Sequence, residues 1–301
     1  MMAQYINPGG MHPLWVELLS SDLYDRGQCR YTGTEVQGPA QARILRKQHA
    51  HQIRENITRS WYKFRGQAIH ESAERRLKPA PDRRIIEKRF YVTAHGVVVG
   101  LKPDLVDRVI TPDHWTIYDW KSVILGALKD GVKDEWKGQL NLFKYGAEEN
   151  GIKPVKELRI MPGFMDWTQI KALRHENPDI PGEAHEVEIW APHRVRDYLH
   201  HRVEVQLKAD DGDVPECTPE ERWFKADTWA VQRKGTTRAF RVLDSAEEAH
   251  AMARQKGAGW SVQFRPGKAQ RCEYYCNVSD FCKQYQRERA GKPVEGYVPR
   301  K

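Results

Sequence analysis

Between Gly100 and Tyr145 the chain runs G-L-K-P-D-L-V-D-R-V, then T-I-Y-D-W-K-S after a short interruption, then K-G-Q-L-N-L-F-K-Y with a helical pattern. The middle run limits the fold most, because it sets a carboxylate and an ammonium inside a stretch of strand composition. Side chains alternate faces along a strand. Over Thr116–Val123, Ile117, Asp119 and Lys121 therefore share one face, and Tyr118, Trp120 and Ser122 take the other. Asp119 and Lys121 converge on one spot, and Asp104, near the end of the preceding apolar run, can join them.

That set has a chemical meaning. Hard divalent cations such as Mg²⁺ take oxygen ligands, usually one or two carboxylates with waters and substrate phosphates. Asp104 and Asp119 supply the carboxylates and the Trp120 carbonyl another oxygen. Lys121 is suited to orienting or deprotonating an attacking water, or to stabilising charge on phosphorus. The parts together describe phosphodiester hydrolysis. A D-x-K triplet by itself means little, since about a quarter of an ordinary chain is charged. P-D upstream, apolar flanks and a following helix with Gln139 make it specific.

The surroundings read as a mixed α/β fold. Phe90–Val99 is a hairpin with Gly96 at its turn, leading to a strand over Leu101–Val109. Trp136–Glu149 is a helix on which Gln139 and Phe143 share a face, while Tyr145 falls off that stripe. Val155–Met161 and Ala184–Trp190 read as strands, Gly163–Pro178 as a loop or short excursion, and Arg194–Lys208 as a helix. Upstream, Ala40 to about Lys78 reads as helix with brief breaks, and K-P-A-P-D-R-R ends it. On that helix His70 and Glu74 stand four apart on one face. Both are metal-ligand types directly ahead of the sheet.

The net charge is 49 − 41 = +8, which suits a polyanionic partner. No run is apolar enough to span a bilayer, and no signal peptide is visible, so a cytoplasmic protein without membrane contact is expected. Cys272, Cys276 and Cys282 form C-x3-C-x5-C, a set that can close around a soft metal with a fourth thiol from Cys217 or Cys29. Zinc sites favour paired C-x2-C knuckles. Their absence tilts the expectation to a [4Fe–4S] cluster over Zn²⁺.

These motifs resemble the PD-(D/E)XK nuclease superfamily, and most closely its RecB-like exonuclease branch, which includes CRISPR-associated and phage-encoded members. The resemblance spans roughly residues 62–207, with the cysteines as a second match. Gly66 and His70 match the family's G-x-x-x-H helix; Asp104 matches the motif aspartate; Asp119 and Lys121 match D-x-K. Gln139 fits the Q-x-x-x-Y helix, but Phe143 stands where the tyrosine is expected and Tyr145 comes two residues late. The resemblance implies that His70, Asp104 and Asp119 bind Mg²⁺ or Mn²⁺, with Glu74 as an outer ligand, and that Lys121 serves the water. It also implies a cysteine staple in which Cys29 joins Cys272, Cys276 and Cys282, with Cys217 as the alternative.

The resulting expectation is a restriction-endonuclease-like core with a mixed central sheet flanked by helices and a Cys-stapled C-terminal region. Residues 1–60 would be an N-terminal helical segment, 61–209 the nuclease core and 210–301 the Cys-rich region. The activity would be metal-dependent DNA exonuclease action on ends or single strands, in phage recombination, repair or processing, beside a recombination or replication partner. If phage-encoded, the chain would act in the host cytoplasm. A structure-specific or nicking endonuclease and a non-catalytic DNA-binding module are the alternatives. Tyr145 and Lys137 are the candidate DNA contacts, with Arg75, Arg76 and Lys133 as further cations that can follow phosphates. No P-loop is present, so no motor accompanies the nuclease in this chain.

Overall fold

The computed structural model describes residues 4–21, 24–80 and 82–290. Pro81 of the expected break and residues 291–301 of the expected C-terminal region lie outside them. The chain divides into two units, one holding residues up to Ile44 with His51–Val214, the other Leu45–Ala50 with the residues from Pro215 on. No helix among the described residues is long and apolar enough to cross a membrane.

The central sheet of the first unit and the hairpin beside it use seven strands: β1 (Arg84–Ile86), β2 (Phe90–Ala94), β3 (Val97–Leu101), β4 (Leu105–Asp107), β5 (Trp115–Val123), β6 (Val155–Phe164) and β7 (His185–Glu186). The central sheet has the order β7-β6-β5-β4-β1 and is mixed: β5 and β6 run parallel, and the other neighbours antiparallel. A parallel pair needs a long crossover. Helix α2 (Asp134–Glu149) supplies it, burying Leu140, Leu142, Phe143 and Ala147. Helices α1 (Ser60–Arg76) and α3 (Pro192–Asp210) complete the flanking layers. The expected mixed sheet flanked by helices is the architecture found.

β2 and β3 form the expected hairpin in a second, smaller sheet. Its two-residue turn, His95-Gly96, has φ of 48° and 73°, the left-handed pair such turns require. α2 reaches this hairpin through Gly146, where a Cβ would lie 2.9 Å from Leu101 Cδ1. One apolar core runs through both sheets, with Phe90, Val99, Leu101, Ile117, Leu140, Leu158, Ile160 and Leu199 all essentially closed to solvent.

The structure corrects some of these expectations and adds two elements. The helix expected from Ala40 to Lys78 is two helices, Ala40–Gln48 and α1, separated by the short strand Arg54–Asn56. Asn56 accepts a hydrogen bond from Thr58 N and starts a new turn there, as a capping side chain does. The strand expected over Ala184–Trp190 pairs only through His185 and Glu186. Beyond it the backbone is taken by a side chain: buried Asn141 on α2 donates to the Glu188 carbonyl and accepts from Trp190 N, at 2.9 and 2.8 Å. The stretch after Gly163 holds a short helix, Gln169–Leu173. β1 was not legible in the sequence at all.

The second unit contains a three-stranded antiparallel sheet, β9-β8-β10, from β8 (Thr228–Arg233), β9 (Ala239–Leu243) and β10 (Trp260–Arg265). Helix α4 (Ala246–Lys256) covers it with Ala249 and Ala253 packed on Val231, ringed by Trp229, Leu243, Met252, Trp260 and Val262. This core is small. The chain then passes the C-terminal cysteines and ends its described part after helix α5 (Lys283–Arg289).

Candidate active site

β5 carries the site. Asp119 lies mid-sheet and is 1% exposed. Lys121 Nζ sits 2.5 Å from Asp119 Oδ2 and donates to Gln139 Oε1 on α2 at 2.9 Å. Asp119 and Lys121 thus meet on one face of β5, and Lys121 reaches α2. The opposite face meets α1, where a Cβ on Gly66 would lie 3.6 Å from Ser122 Oγ. One turn further along α1 is His70.

Asp104 stands at the mouth of β4. Its Oδ2 accepts from Trp120 N at 2.7 Å, and its Oδ1 is 3.2 Å from His70 Nδ1. A strand residue turns its N–H and C=O to one side. The Trp120 carbonyl therefore faces the same edge as Asp104. β4 pairs with β5 only from Leu105 opposite Tyr118, so β4 does not cover that edge further on.

Glu87 completes the set, and sequence reasoning missed it. Its Oε1 is 3.3 Å from His70 Nδ1, its Oε2 is 2.6 Å from Lys102 Nζ, and its backbone N donates to the Asp104 carbonyl at 3.0 Å. Its φ is +50°, an uncommon and costly conformation for a side chain of this kind. His70, Glu87 and Asp104 each offer a ligand atom, and these atoms lie within 4.8 Å of one another. Among the described residues no other group of three meets that test. The only sequence signal for Glu87 is an acid directly after the doublet Ile85-Ile86, just past the proline break.

The electrostatics fit a cation. Burial pushes the Asp119 carboxyl up to about 6, Lys121 pulls it down, and Asp104 pushes it further up. Burial works against charge on His70 as well, yet its hydrogen bonds to Asp104 and Glu87 hold the imidazole at about 10. Glu87 is likewise resisted by burial but drawn below the usual carboxylate range by His70 and Lys102. Asp119 Oδ2 has the Lys121 ammonium at ion-pair distance but no directed hydrogen bond, although it is buried. Buried polar atoms are normally satisfied. The two carboxylates and the imidazole nitrogen of Glu87, Asp104 and His70 form a donor set of a kind that suits Mg²⁺ or Mn²⁺; Asp119 lies outside that group but feels the charge of Asp104 and His70.

The other candidates are placed as follows. Glu74 is exposed on α1 and outside the His70 group. Tyr145 packs against the main core, and burial raises its phenol. Lys137 pairs with Asp134 at 2.8 Å, Arg75 with Glu71 at 3.8 Å, and Arg76 Nε donates to Ser72 at 3.1 Å. Cys29 donates to the Arg26 carbonyl at 3.2 Å and lies against Gly100, where a Cβ would be 2.8 Å from its sulfur.

Cys217 shares the second unit with Cys272, Cys276 and Cys282. The Gln284 side chain clamps its backbone, accepting from Cys217 N at 3.0 Å and donating to its carbonyl at 2.9 Å. Burial pushes the Cys217 thiol up to about 12, and negative charge at Glu221 and at the other three sulfurs adds to it. Cys272 is pushed up to about 11 by burial and by Cys276 and Cys282. Burial raises Cys282 too, with the Tyr285 and Gln284 amides at the start of α5 opposing. Thiols that raise one another become thiolates when a cation joins them.

A family model described as the PD-(D/E)XK nuclease superfamily matches residues 23–283. No curated protein matches the chain. Among solved structures, the one described as "Crystal structure of SSO0001" is 12% identical, with a TM-score of 0.43, over 64% of this chain and 85% of that one.

Proposed function

The chain belongs to the PD-(D/E)XK nuclease superfamily, and from that premise we propose that it is a divalent-metal-dependent DNA exonuclease that acts in DNA recombination or repair. One observation carries the reading: Lys121 is held between Asp119 and Gln139, at 2.5 and 2.9 Å, on the strand whose Trp120 amide fixes Asp104. The lysine is thereby aimed.

His70, Glu87, Asp104 and Asp119, with the Trp120 carbonyl, would hold Mg²⁺ or Mn²⁺. The bound metal supplies Lewis-acid polarisation of the phosphate and a more acidic water. The chain's own residues do the rest. Asp104 and Glu87 hold the His70 ring through Nδ1, and that nitrogen must give up its proton before it can ligate. Gln139 fixes the Lys121 side chain so that its ammonium faces the water or the charge developing on phosphate oxygen. Glu87 takes the ligand role that the sequence reading gave to Glu74.

The ordered match of Gly66, His70, Asp104, Asp119, Lys121 and Gln139 to RecB-like nucleases supports exonuclease over endonuclease action, and the phage setting rests on the same resemblance. The test is degradation of end-labelled linear DNA beside closed circles, with Mn²⁺. Stepwise shortening of the linear DNA with intact circles is expected. Cut circles would replace the exonuclease reading with the endonuclease one; no cleavage of either would leave only DNA binding.

We further propose that Cys217, Cys272, Cys276 and Cys282 hold a polynuclear iron–sulfur centre. The four thiols act on one another electrostatically, and their spacing lacks the paired C-x2-C knuckles that zinc sites favour, which supports the larger group. Iron and sulfide content, with loss of the brown colour in Cys217→Ser but not in Cys29→Ser, is the expected result. Zinc in place of iron, or loss only in Cys29→Ser, would refute it.

A further inference from the structure

The second unit separates its charge. Residues 228–265 hold seven Lys and Arg against three Asp and Glu. The three acids, Asp244, Glu247 and Glu248, sit at the start of α4. The opposite end is made by the β8–β9 hairpin, the end of α4 and the turn into β10. There Lys234 N donates to the Gly259 carbonyl at 2.8 Å and draws hairpin and turn together. Arg233, Lys234, Arg238 and Lys256 all open to solvent at this end. No carboxylate among the described residues pairs with any of them.

Two aromatic rings lie among these cations. Phe240 and Trp260 meet edge to face, centroids 5.3 Å apart. Lys256 Nζ rests 4.5 Å from the Phe240 centroid and 5.9 Å from that of Trp260. Phe240 sits at the strand start, just after Ala239, which pairs with Gln232. It is 57% exposed. More than half of the ring is thus open to a stacking partner. An apolar protein partner would bring no counter-charge for four unpaired cations. A strand of nucleotides brings both a phosphate for each cation and a base for the ring, since base–aromatic stacking is tolerant of sequence.

We propose that this end of the β9-β8-β10 module binds single-stranded DNA, with a base stacked on Phe240 and phosphates held by Lys234, Arg238 and Lys256. The choice of DNA rests on the nuclease reading, but the binding surface does not involve the His70–Asp104–Asp119 site. The arrangement gives the nuclease a second hold on its substrate, on residues that take no part in cleavage.

The test uses the full chain carrying Lys121→Ala, so that DNA survives, and a fluorescein-labelled oligo(dT) read by anisotropy. Lys234→Ala/Arg238→Ala/Lys256→Ala is expected to weaken binding at least about tenfold at low salt and to flatten the salt dependence by about 2 in log–log slope, at ~0.7 per phosphate on a single strand. Phe240→Ala is expected to weaken it about 5-fold or more with the slope unchanged. Melting curves equal to the parent's establish that the variants fold. Oligo(dT) binding that matches the parent in either variant overturns the proposal. A loss that is the same for polyglutamate as for oligo(dT) makes the surface an acidic-protein site and overturns it as well. Cleavage by the otherwise unaltered chain is scored separately: if it cuts nothing while the binding losses appear, the nuclease reading fails and this one stands.

Discussion

Asp107 and Asp119 lie on neighbouring strands of one sheet, both closed to solvent, and the protein treats them in opposite ways. Asp107, at the far end, is fully provided for. Arg84 Nε donates to Oδ1 at 2.7 Å, and the Val109 and Ile110 amides donate to Oδ2 at 3.0 and 3.2 Å. Asp119 has one ammonium nearby and an oxygen with no directed donor. A buried carboxylate with partners ties the structure together. One that meets a single ammonium, with its carboxyl pushed up by burial, makes the fold bear a cost of desolvation.

The sharpest way to break this comparison is Asp119→Asn. Cleavage is expected to fall by about 10³-fold or more, the scale of losing a group that acts at the reacting centre. Stability should move the other way. Asp119 titrates at about 6 in the fold, above its ordinary 3.8. A carboxyl raised on folding contributes stability below its unfolded pKa and loses it as pH rises through the folded one. The metal-free variant should therefore melt no lower than the parent at pH 8 and gain nothing near pH 3. A large drop in melting temperature at pH 8 would make Asp119 a structural group like Asp107. Asp107→Ala should do the reverse. It strands a half-buried Arg84 and two backbone amides, at a cost of about 3 kcal/mol, read as a lower denaturation midpoint. The residual folded fraction should cut DNA at the parent's rate.

Glu87→Gln sharpens the same contrast at smaller scale. It keeps the shape and the backbone bond to Asp104 but removes one candidate ligand charge. The Mn²⁺ concentration for half-maximal cleavage should rise by about 10- to 100-fold, in the range seen when groups supporting a metal are changed. An unchanged metal requirement would take Glu87 out of the site and leave it as a partner of Lys102.

Glu87 also marks what the sequence could disclose. Asp119 and Lys121 could be placed on one face because strand geometry is a local rule, even though burial along β5 does not alternate. Gly66 and His70 were legible through spacing along one helix. Glu87 follows a strand of only three half-buried residues, β1, too short for periodicity to register. It joins the site through a left-handed backbone turn, which no side-chain pattern encodes. The alternation of Ala184–Trp190 holds only in part: Val187 is buried, but Ile189 on the same face is exposed. Its pairing was not readable, because the partner after Glu186 is the side chain of Asn141 on a helix some fifty residues earlier in the chain. Trp260–Arg265 obeys the strand rule and could have been read, since Trp260, Val262 and Phe264 alternate with polar residues. For the cysteines, the family resemblance favoured Cys29, with Cys217 as the alternative. The clamp from Gln284, which fixes Cys217 in the unit of the other three, is a contact across sixty-seven residues.

Asp210 gives the smallest test and stands between the two cases. It ends α3, and burial resists its charge, yet Tyr31, Arg43 and Arg30 bring it down to about 2. The Tyr31 hydroxyl donates at 2.5 Å, with Arg43 and Arg30 at 2.8 and 3.2 Å. Like Asp107 it gathers several donors, although its Oδ1, 2.8 Å from the Arg43 guanidinium, has no directed hydrogen bond; unlike Asp107 it keeps some exposure, so solvent screens it. Because its pKa is depressed on folding, its contribution is present above the unfolded value, near 3.9, and is lost as pH falls through about 2. Asp210→Asn should then cost about 2 kcal/mol at pH 7 and progressively less towards pH 2. Cleavage should be unaffected at neutral pH, because Asp210 belongs to the contact between α3 and the N-terminal residues. A loss that stays constant down to pH 2 would mean that Asp210 acts through packing, and its kinship with Asp107 would be one of shape and not of charge.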